Sequence, residues 1–120
     1  MSYQNYTELD VWKKSRVLVN HIFGVTKNFP KEELYGLVSQ MRRCAVSVPS
    51  NIAEGCGRQH KKDSIQFFYV SRGSLFELET QLYLACDQNY ISQVELKESL
   101  ELIIDCKKLI HGFINYFEKL

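Results

Sequence analysis

From Glu33 to Arg58 the chain reads ELYGLVSQMRRCAVSVPSNIAEGCGR, and its apolar residues Leu34, Val38, Met41, Ala45, Val48 and Ile52 recur at steps of three and four. That spacing puts them on one face of an α-helix and is incompatible with the two-residue alternation of a strand. Pro49 falls inside the pattern. It lacks a backbone donor and crowds the carbonyl four residues back, so the spacing predicts a helix kinked at Pro49. A polar stripe of Gln40, Arg43, Ser47, Asn51 and Glu54 runs beside the apolar one. Polar residues flanking a core stripe bond to a neighbouring helix, or line a ligand pocket.

The rest of the chain repeats the helical period. A first helix is expected over about 10–28, with Leu18, Ile22, Val25 and Phe29 on one stripe, widened by Trp12, Val19 and Phe23. Gly24 inside it would allow close packing. Phe29-Pro30 closes it, because a residue before proline avoids the α region. Pro30, Glu32 and Glu33 suit the first turn of a second helix over 31–55, which Gly55 and Gly57 end. Asp63 is the expected N-cap of a third helix over 63–88. Its apolar side holds Ile65, Phe68, Leu75, Leu78, Leu82 and Ala85, with Arg72 and Glu79 falling inside it, and Gly73 offers a close backbone approach. Ser92 and Glu95 form a capping-box pattern for a fourth helix over 92–119. Its Leu96, Ile103, Ile110 and Phe117 are spaced seven apart, as in a coiled coil. Short loops between such helices predict one all-α domain over 1–120, an antiparallel up-down four-helix bundle.

Composition narrows the function classes. Apolar residues make up 45% of the 120, enough for one core, and the net charge is only +1. The halves differ: residues 1–62 hold ten Lys/Arg against five Asp/Glu, and residues 63–120 hold five against nine. Either these are two solvated faces of opposite sign, or a basic ligand face, or complementary subunit faces. The first ten residues lack the basic start and apolar run of a signal peptide, and no segment approaches the roughly 20 apolar residues of a membrane span. A cytoplasmic protein is expected, with Cys44, Cys56, Cys86 and Cys106 as free thiols.

Two stretches, SQMRRCAVSVPSNIAEGCGR and the later SRGSLFELE, carry a resemblance. With the run RR-x3-S-x-PSNIAEG, they are similar to the four-helix-bundle family encoded in intervening sequences of bacterial large-subunit (23S) rRNA genes. The accessory variability proteins of diversity-generating retroelements look like distant relatives. The likeness runs from DVWKKS near the start to Asn89-Tyr90-Ile91. It implies a compact up-down bundle, a ring-like homopentamer, and association with structured RNA or a ribonucleoprotein.

Catalytic constellations are weak. His21, His60 and His111 fall on three separate segments, and no Glu-x-x-His occurs, so no metal site or other cofactor is expected. Cys56 lies between two glycines near Arg58 and His60, where cationic neighbours can lower a thiol pKa. The carboxylate pairs Glu32/Glu33 and Glu77/Glu79 have ordinary surface readings. We expect no enzyme and no small-molecule substrate. Lys13, Lys14, Arg16, Arg42, Arg58, Lys61 and Lys62 are the candidate RNA contacts, with Gln59, His60, Tyr3 and Tyr6 beside them for hydrogen bonding or stacking.

Arg43, Ser47, Asn51 and Glu54, with Gln40, Arg72 and Glu79, are expected to form an interhelix polar network. Antiparallel pairing about residue 60 places Glu79 near Gln40 and Arg43, and Arg72 near Ser47 and Asn51. Trp12, Phe23, Phe67, Tyr69, Phe76, Tyr83, Phe113 and Tyr116 exceed what one small interior holds, so some of them should contact other subunits. The leading reading is a non-enzymatic, oligomeric, RNA-associated bundle. The alternative is a structural or protein-binding scaffold with no nucleic-acid role.

Overall fold

The computed structural model describes residues 5–120. Its four long helices are α1 (Asp10–Thr26), α2 (Ser39–Cys56), α3 (Lys61–Asp87) and α4 (Gln93–Glu118), with no strand among the described residues. Short helical turns at Tyr6–Glu8 and Lys31–Glu33 and a π-turn at Leu34–Val38 complete the order. At about 1.5 Å per residue, α3 alone nearly spans the molecule's 45 Å long axis.

Contacts between helices follow a single rule: as residue number rises on one helix it falls on its neighbour. Lys14 meets Asp105 and His21 meets Ser99 between α1 and α4. Cys44 meets Ser74 and Glu77, and Val48 meets Ser71, between α2 and α3. Phe68 stacks on Phe113 and Phe117, and Glu79 meets Lys107, between α3 and α4. These contacts are consistent with neighbouring helices running in opposite directions.

The core is a seam of alternating three- and four-residue steps. On α4 the buried positions are Leu96, Ser99, Ile103, Cys106, Ile110, Phe113 and Phe117, with Ile114 beside them. On α3 they include Ser64, Phe68, Ser71, Leu75, Leu78, Leu82 and Ala85. Such a seam packs as knobs into holes. The apolar pattern alone overlooks its hydroxyls. Ser15, Thr26, Ser64, Ser71 and Ser99 are buried in it. Four of them donate to the carbonyl four residues back, as Ser15 does to Val11 at 2.6 Å and Ser99 to Glu95 at 2.7 Å. Ser71 instead donates across the interface to Val48 O at 2.8 Å. Each buried hydroxyl therefore has an acceptor, which removes most of the cost of burying it.

Several expected details fall elsewhere. α2 continues through Pro49, and a separate irregularity lies upstream, at Gly36 (φ −107°, ψ −113°). There the Glu33 carboxylate accepts from Leu37 N at 3.2 Å and takes that donor from the regular ladder. The first regular residue of α2 is consequently Ser39, eight positions after the expected start at 31. α1 ends at Thr26, and α3 begins at Lys61 with His60, not Asp63, at its cap. Gly24 and Gly73 have open space where a Cβ would go; the close approach is at Gly55, against Phe68 and Ser64 O. The Ser92–Glu95 capping box is present in both directions, at 2.9 and 3.0 Å.

The α3–α4 turn is a Schellman motif. Tyr90 N donates to Ala85 O and Asn89 N to Cys86 O, both at 2.9 Å, with Asn89 at φ 63°. Asparagine tolerates that left-handed conformation better than most residues with a Cβ. The turn aims Tyr90 back across the bundle. Its ring packs on Phe29 (5.2 Å between centroids), and its hydroxyl donates to Glu33 Oε2 at 2.8 Å.

Candidate functional site

α2 and α3 pack closely at Gly55, against Phe68 and Ser64 O, and touch again toward the other end of the bundle, at Ser47 and Ser74. An open polar groove of about 280 Å³ lies between them there, lined by Gln40, Arg43, Cys44, Ser47, Ser74, Glu77 and Gln81. Its floor is bonded within the protein. Ser47 and Ser74 share a 2.7 Å hydroxyl bond, and Asn51 Nδ2 donates to Ser47 O and Oγ at 2.8 and 2.9 Å. The Cys44 thiol donates to Ser74 O at 3.1 Å. Burial first, and then the nearby Glu77 carboxylate, push that thiol up to about 12, so it stays protonated and a poor nucleophile.

The groove's upper members are not bonded to one another. Arg43 is exposed and has no hydrogen-bonding or ion-pairing partner among the described residues. Glu77 has no cation within ion-pair distance among the described residues, and its Oε1 accepts from the Cys44 thiol at 3.6 Å. Gln81 is 94% buried, and its Oε1 has no hydrogen-bond partner among the described residues. A buried amide oxygen without a partner is uncommon and costly, and calls for an explanation.

The expected network is thus divided. Ser47 and Asn51 bond with Ser74, whereas Glu79 turns to α4 and pairs with Lys107 at 3.0 Å. Arg72 lies over the Tyr69 ring at 4.7 Å. Arg72, Phe76, Lys107 and His111 line a separate α3–α4 hollow. The anticipated pairing of Glu79 with Gln40 and Arg43, and of Arg72 with Ser47 and Asn51, therefore does not form. Ser74, Glu77 and Gln81, spaced three and four apart, are the α3 residues that line the groove with α2. Glu54 stands 3.9 Å from Arg58 on the exposed side.

The seven basic candidates are scattered over two ends of the bundle. Arg42 lies where α1 ends, donating to Thr26 Oγ1 at 2.9 Å and stacking on Phe23 at 4.7 Å. The other six lie toward the opposite end, where α1 and α3 begin. Lys14 pairs with Asp105 at 3.6 Å, and Arg16 lies over Trp12 at 5.6 Å. Arg58 sits on Phe67 at 4.6 Å, and Lys61 donates to Glu118 O and Leu120 O at 2.9 and 3.1 Å. Lys13 and Lys62 are exposed, as are Gln59 and His60. Tyr6 packs edge-on against Trp12 at 5.5 Å; Tyr3 lies outside the described residues.

The profile of the family described as 23S rRNA-intervening sequence protein matches residues 7–112. The chain belongs to this family. No match was found among curated proteins. The match takes in both faces of the α2–α3 groove, so the groove lies within the intervening-sequence family's own fold.

Other features of this intervening-sequence protein bear on chemistry. Cys56 is buried at the end of α2, not displayed on a basic loop, and burial pushes its thiol up to about 11. Cys106 is likewise pushed up to about 11, chiefly by burial. No group of three or more His, Cys, Asp or Glu residues suited to holding a metal ion occurs among the described residues. None of their helices is long and apolar enough to cross a membrane. Of the eight aromatic candidates for subunit contacts, Phe113 is in the core against Phe68, and Trp12 and Phe67 are half-buried. Phe23, Tyr69, Phe76, Tyr83 and Tyr116 are exposed. Tyr69, Phe76 and Tyr83 are spaced seven apart on the outer side of α3, interleaved with Gly73.

Proposed function

We propose that this protein is a non-enzymatic, cytoplasmic RNA-associated bundle that works as a closed homo-oligomer. Its helices are read as antiparallel and up-down, with a bend in α2 at Pro49. The observation that carries the RNA reading is membership of a family described by 23S rRNA. The basic residues at the α1 and α3 starts support it, since Lys13 and Lys62 are exposed and unpaired among the described residues. A ring, with five copies favoured, would repeat such modest contacts around its axis and add them through avidity. The test is an electrophoretic shift of structured 23S rRNA fragments. With about three phosphate contacts per bound unit, affinity should fall roughly thirtyfold as salt rises from about 50 to about 200 mM. The absence of any shift at low salt would remove this reading.

A second reading, a scaffold that docks a protein, is favoured by the exposed Tyr69–Phe76–Tyr83 strip. A scaffold would leave RNA unshifted and co-purify with a protein through that strip.

A further inference from the structure

We propose that the outer face of α3 is a self-docking surface, on which α3 of a second copy lies antiparallel about a two-fold axis. The proposal rests on the oligomeric part of the reading above and names its surface; it needs no RNA. On its outer side α3 exposes Gln66, Tyr69, Gly73, Phe76, Thr80 and Tyr83, at alternating steps of three and four. Ser71, Leu78 and Ala85, on the opposite side, are buried in the core. α3 therefore carries two heptad seams, and only the inner one is packed among the described residues. A heptad seam interlocks with another helix as knobs into holes, and an exposed aromatic strip marks an interaction site.

What the seam fits is its own copy run backwards. In an antiparallel pair, the two rows of the seam face each other across the contact. Setting Phe76 against the partner's Gly73 puts Tyr69 against the partner's Thr80 and Tyr83 against the partner's Gln66. Every ring then meets a smaller or slimmer side chain, and Phe76 enters the space left by a glycine. Nothing within the chain requires that glycine, since a Cβ there would meet no atom within 4 Å, and a glycine weakens a helix interior. The same steps continued outward reach Lys62 and Asp87, both exposed. In this register Lys62 faces the partner's Asp87 at both ends of the contact. Beside the seam, Arg72 makes no hydrogen bond or ion pair among the described residues and lies over the Tyr69 ring at 4.7 Å. The two-fold brings it toward the partner's Glu79, whose carboxylate can accept from Arg72 as well as from its own Lys107. Parallel pairing would instead set Phe76 on the partner's Phe76 and Asp87 on the partner's Asp87, crowding the rings, opposing like charges and leaving the glycine space empty. A two-fold contact closes on itself, so it gives a dimer from single chains and joins two rings where the ring forms.

The experiment is light scattering and sedimentation equilibrium of the full chain at micromolar concentration. The wild type should hold an even number of copies, as a dimer or as a pair of rings. Gly73→Leu fills the layer opposite the partner's Phe76 and should halve the mass with helix content unchanged, because a Cβ there meets nothing in the single chain. Asp87→Lys sets like charges together at both ends and should weaken self-association about tenfold at low salt. Adding Lys62→Glu to it should restore the wild-type affinity. All three positions are exposed, so circular dichroism should show folded chains throughout. A dimer keeps this contact and removes the ring. A lone ring of odd copy number overturns the contact and leaves the ring, and a monomer overturns both. An unchanged mass for Gly73→Leu, no recovery in the charge-swapped variant, or a different protein co-purifying on the strip in place of the second copy would also overturn it.

Discussion

Gly55 and Phe68 meet as backbone against ring: a Cβ on Gly55 would stand 2.5 Å from Phe68 Cε1 and 2.8 Å from Ser64 O. Gly55→Ala therefore cannot be absorbed by swinging one side chain, because a backbone carbonyl is in the way. Overpacking of this kind typically costs about 1–3 kcal/mol, and we expect the upper end. Gly73→Ala, with open space around it, should be neutral or slightly stabilising on a helix. Thermal melts of the two variants check this, and equal melting temperatures would contradict the packing described.

Glu79 and Lys107 retain 29% and 23% side-chain exposure at 3.0 Å. The pair is neither dry nor free in solvent. Lys107 Nζ also lies 3.9 Å from the Phe76 ring centroid. Glu79→Ala should cost about 1–2 kcal/mol, between the ranges for exposed and buried pairs. Urea unfolding at low and high salt measures it. A cost above about 4 kcal/mol would mean that the pair is fully desolvated in the working assembly.

The thiols make a pH prediction. Folding raises Cys44 to about 12 and Cys56 and Cys106 to about 11, above the ordinary 9.0. A group whose folded pKa is raised contributes stability that is fully present below its unfolded pKa and is lost as pH rises through the folded one. The thiol contribution should be constant below about pH 9 and should decline from there toward pH 11–12. Unfolding curves of wild type and Cys56→Ala across that window check the sign, since the variant should decline less. At pH 8 a thiol reagent should modify half-buried Cys86 first and the three buried cysteines only on unfolding. Reducing agent should leave the melting temperature unchanged.

The outer strip of α3 makes an assembly prediction. Tyr69, Phe76 and Tyr83 are 37%, 53% and 49% exposed and share one side of the helix. Phe76→Ser with Tyr83→Ser should lower the mass seen by light scattering at micromolar concentration, without lowering helix content. A wild-type monomer mass would rule out the ring; an unchanged mass in the double variant would place the contact elsewhere.

Periodicity made the helices legible, and for a physical reason: burial on one side demands steps of three and four. Leu96, Ile103, Ile110 and Phe117 are all buried, and Ser92 caps as its spacing requires. The apolar rule failed where burial is decided by size and not polarity. Ser15, Ser64 and Ser99 occupy seam positions because a hydroxyl can return its bond to its own helix, and Ser71 because it reaches Val48 O across the interface. The break at Gly36 depends on a side-chain bond from Glu33, which no propensity encodes. Of the groove, Gln40, Arg43 and Ser47 were visible as a stripe on α2. Their partners Ser74, Glu77 and Gln81 were not, because Arg72 and Glu79 were the more conspicuous charges on α3 and yet face α4. The three-four spacing of Ser74, Glu77 and Gln81, within a helix known to pack on α2, is the signal that would have found them.

The Tyr90 hydroxyl on Glu33 has a kinetic implication. It joins residues 57 positions apart in sequence, and its ring covers Phe29 at the corner where the chain passes from α1 toward α2. The corner of the first hairpin is therefore completed by a side chain from the turn of the second. A nascent chain carrying only α1 and α2 would expose Phe29 and leave that corner unlatched, so the two hairpins should lock together in one step and not in succession.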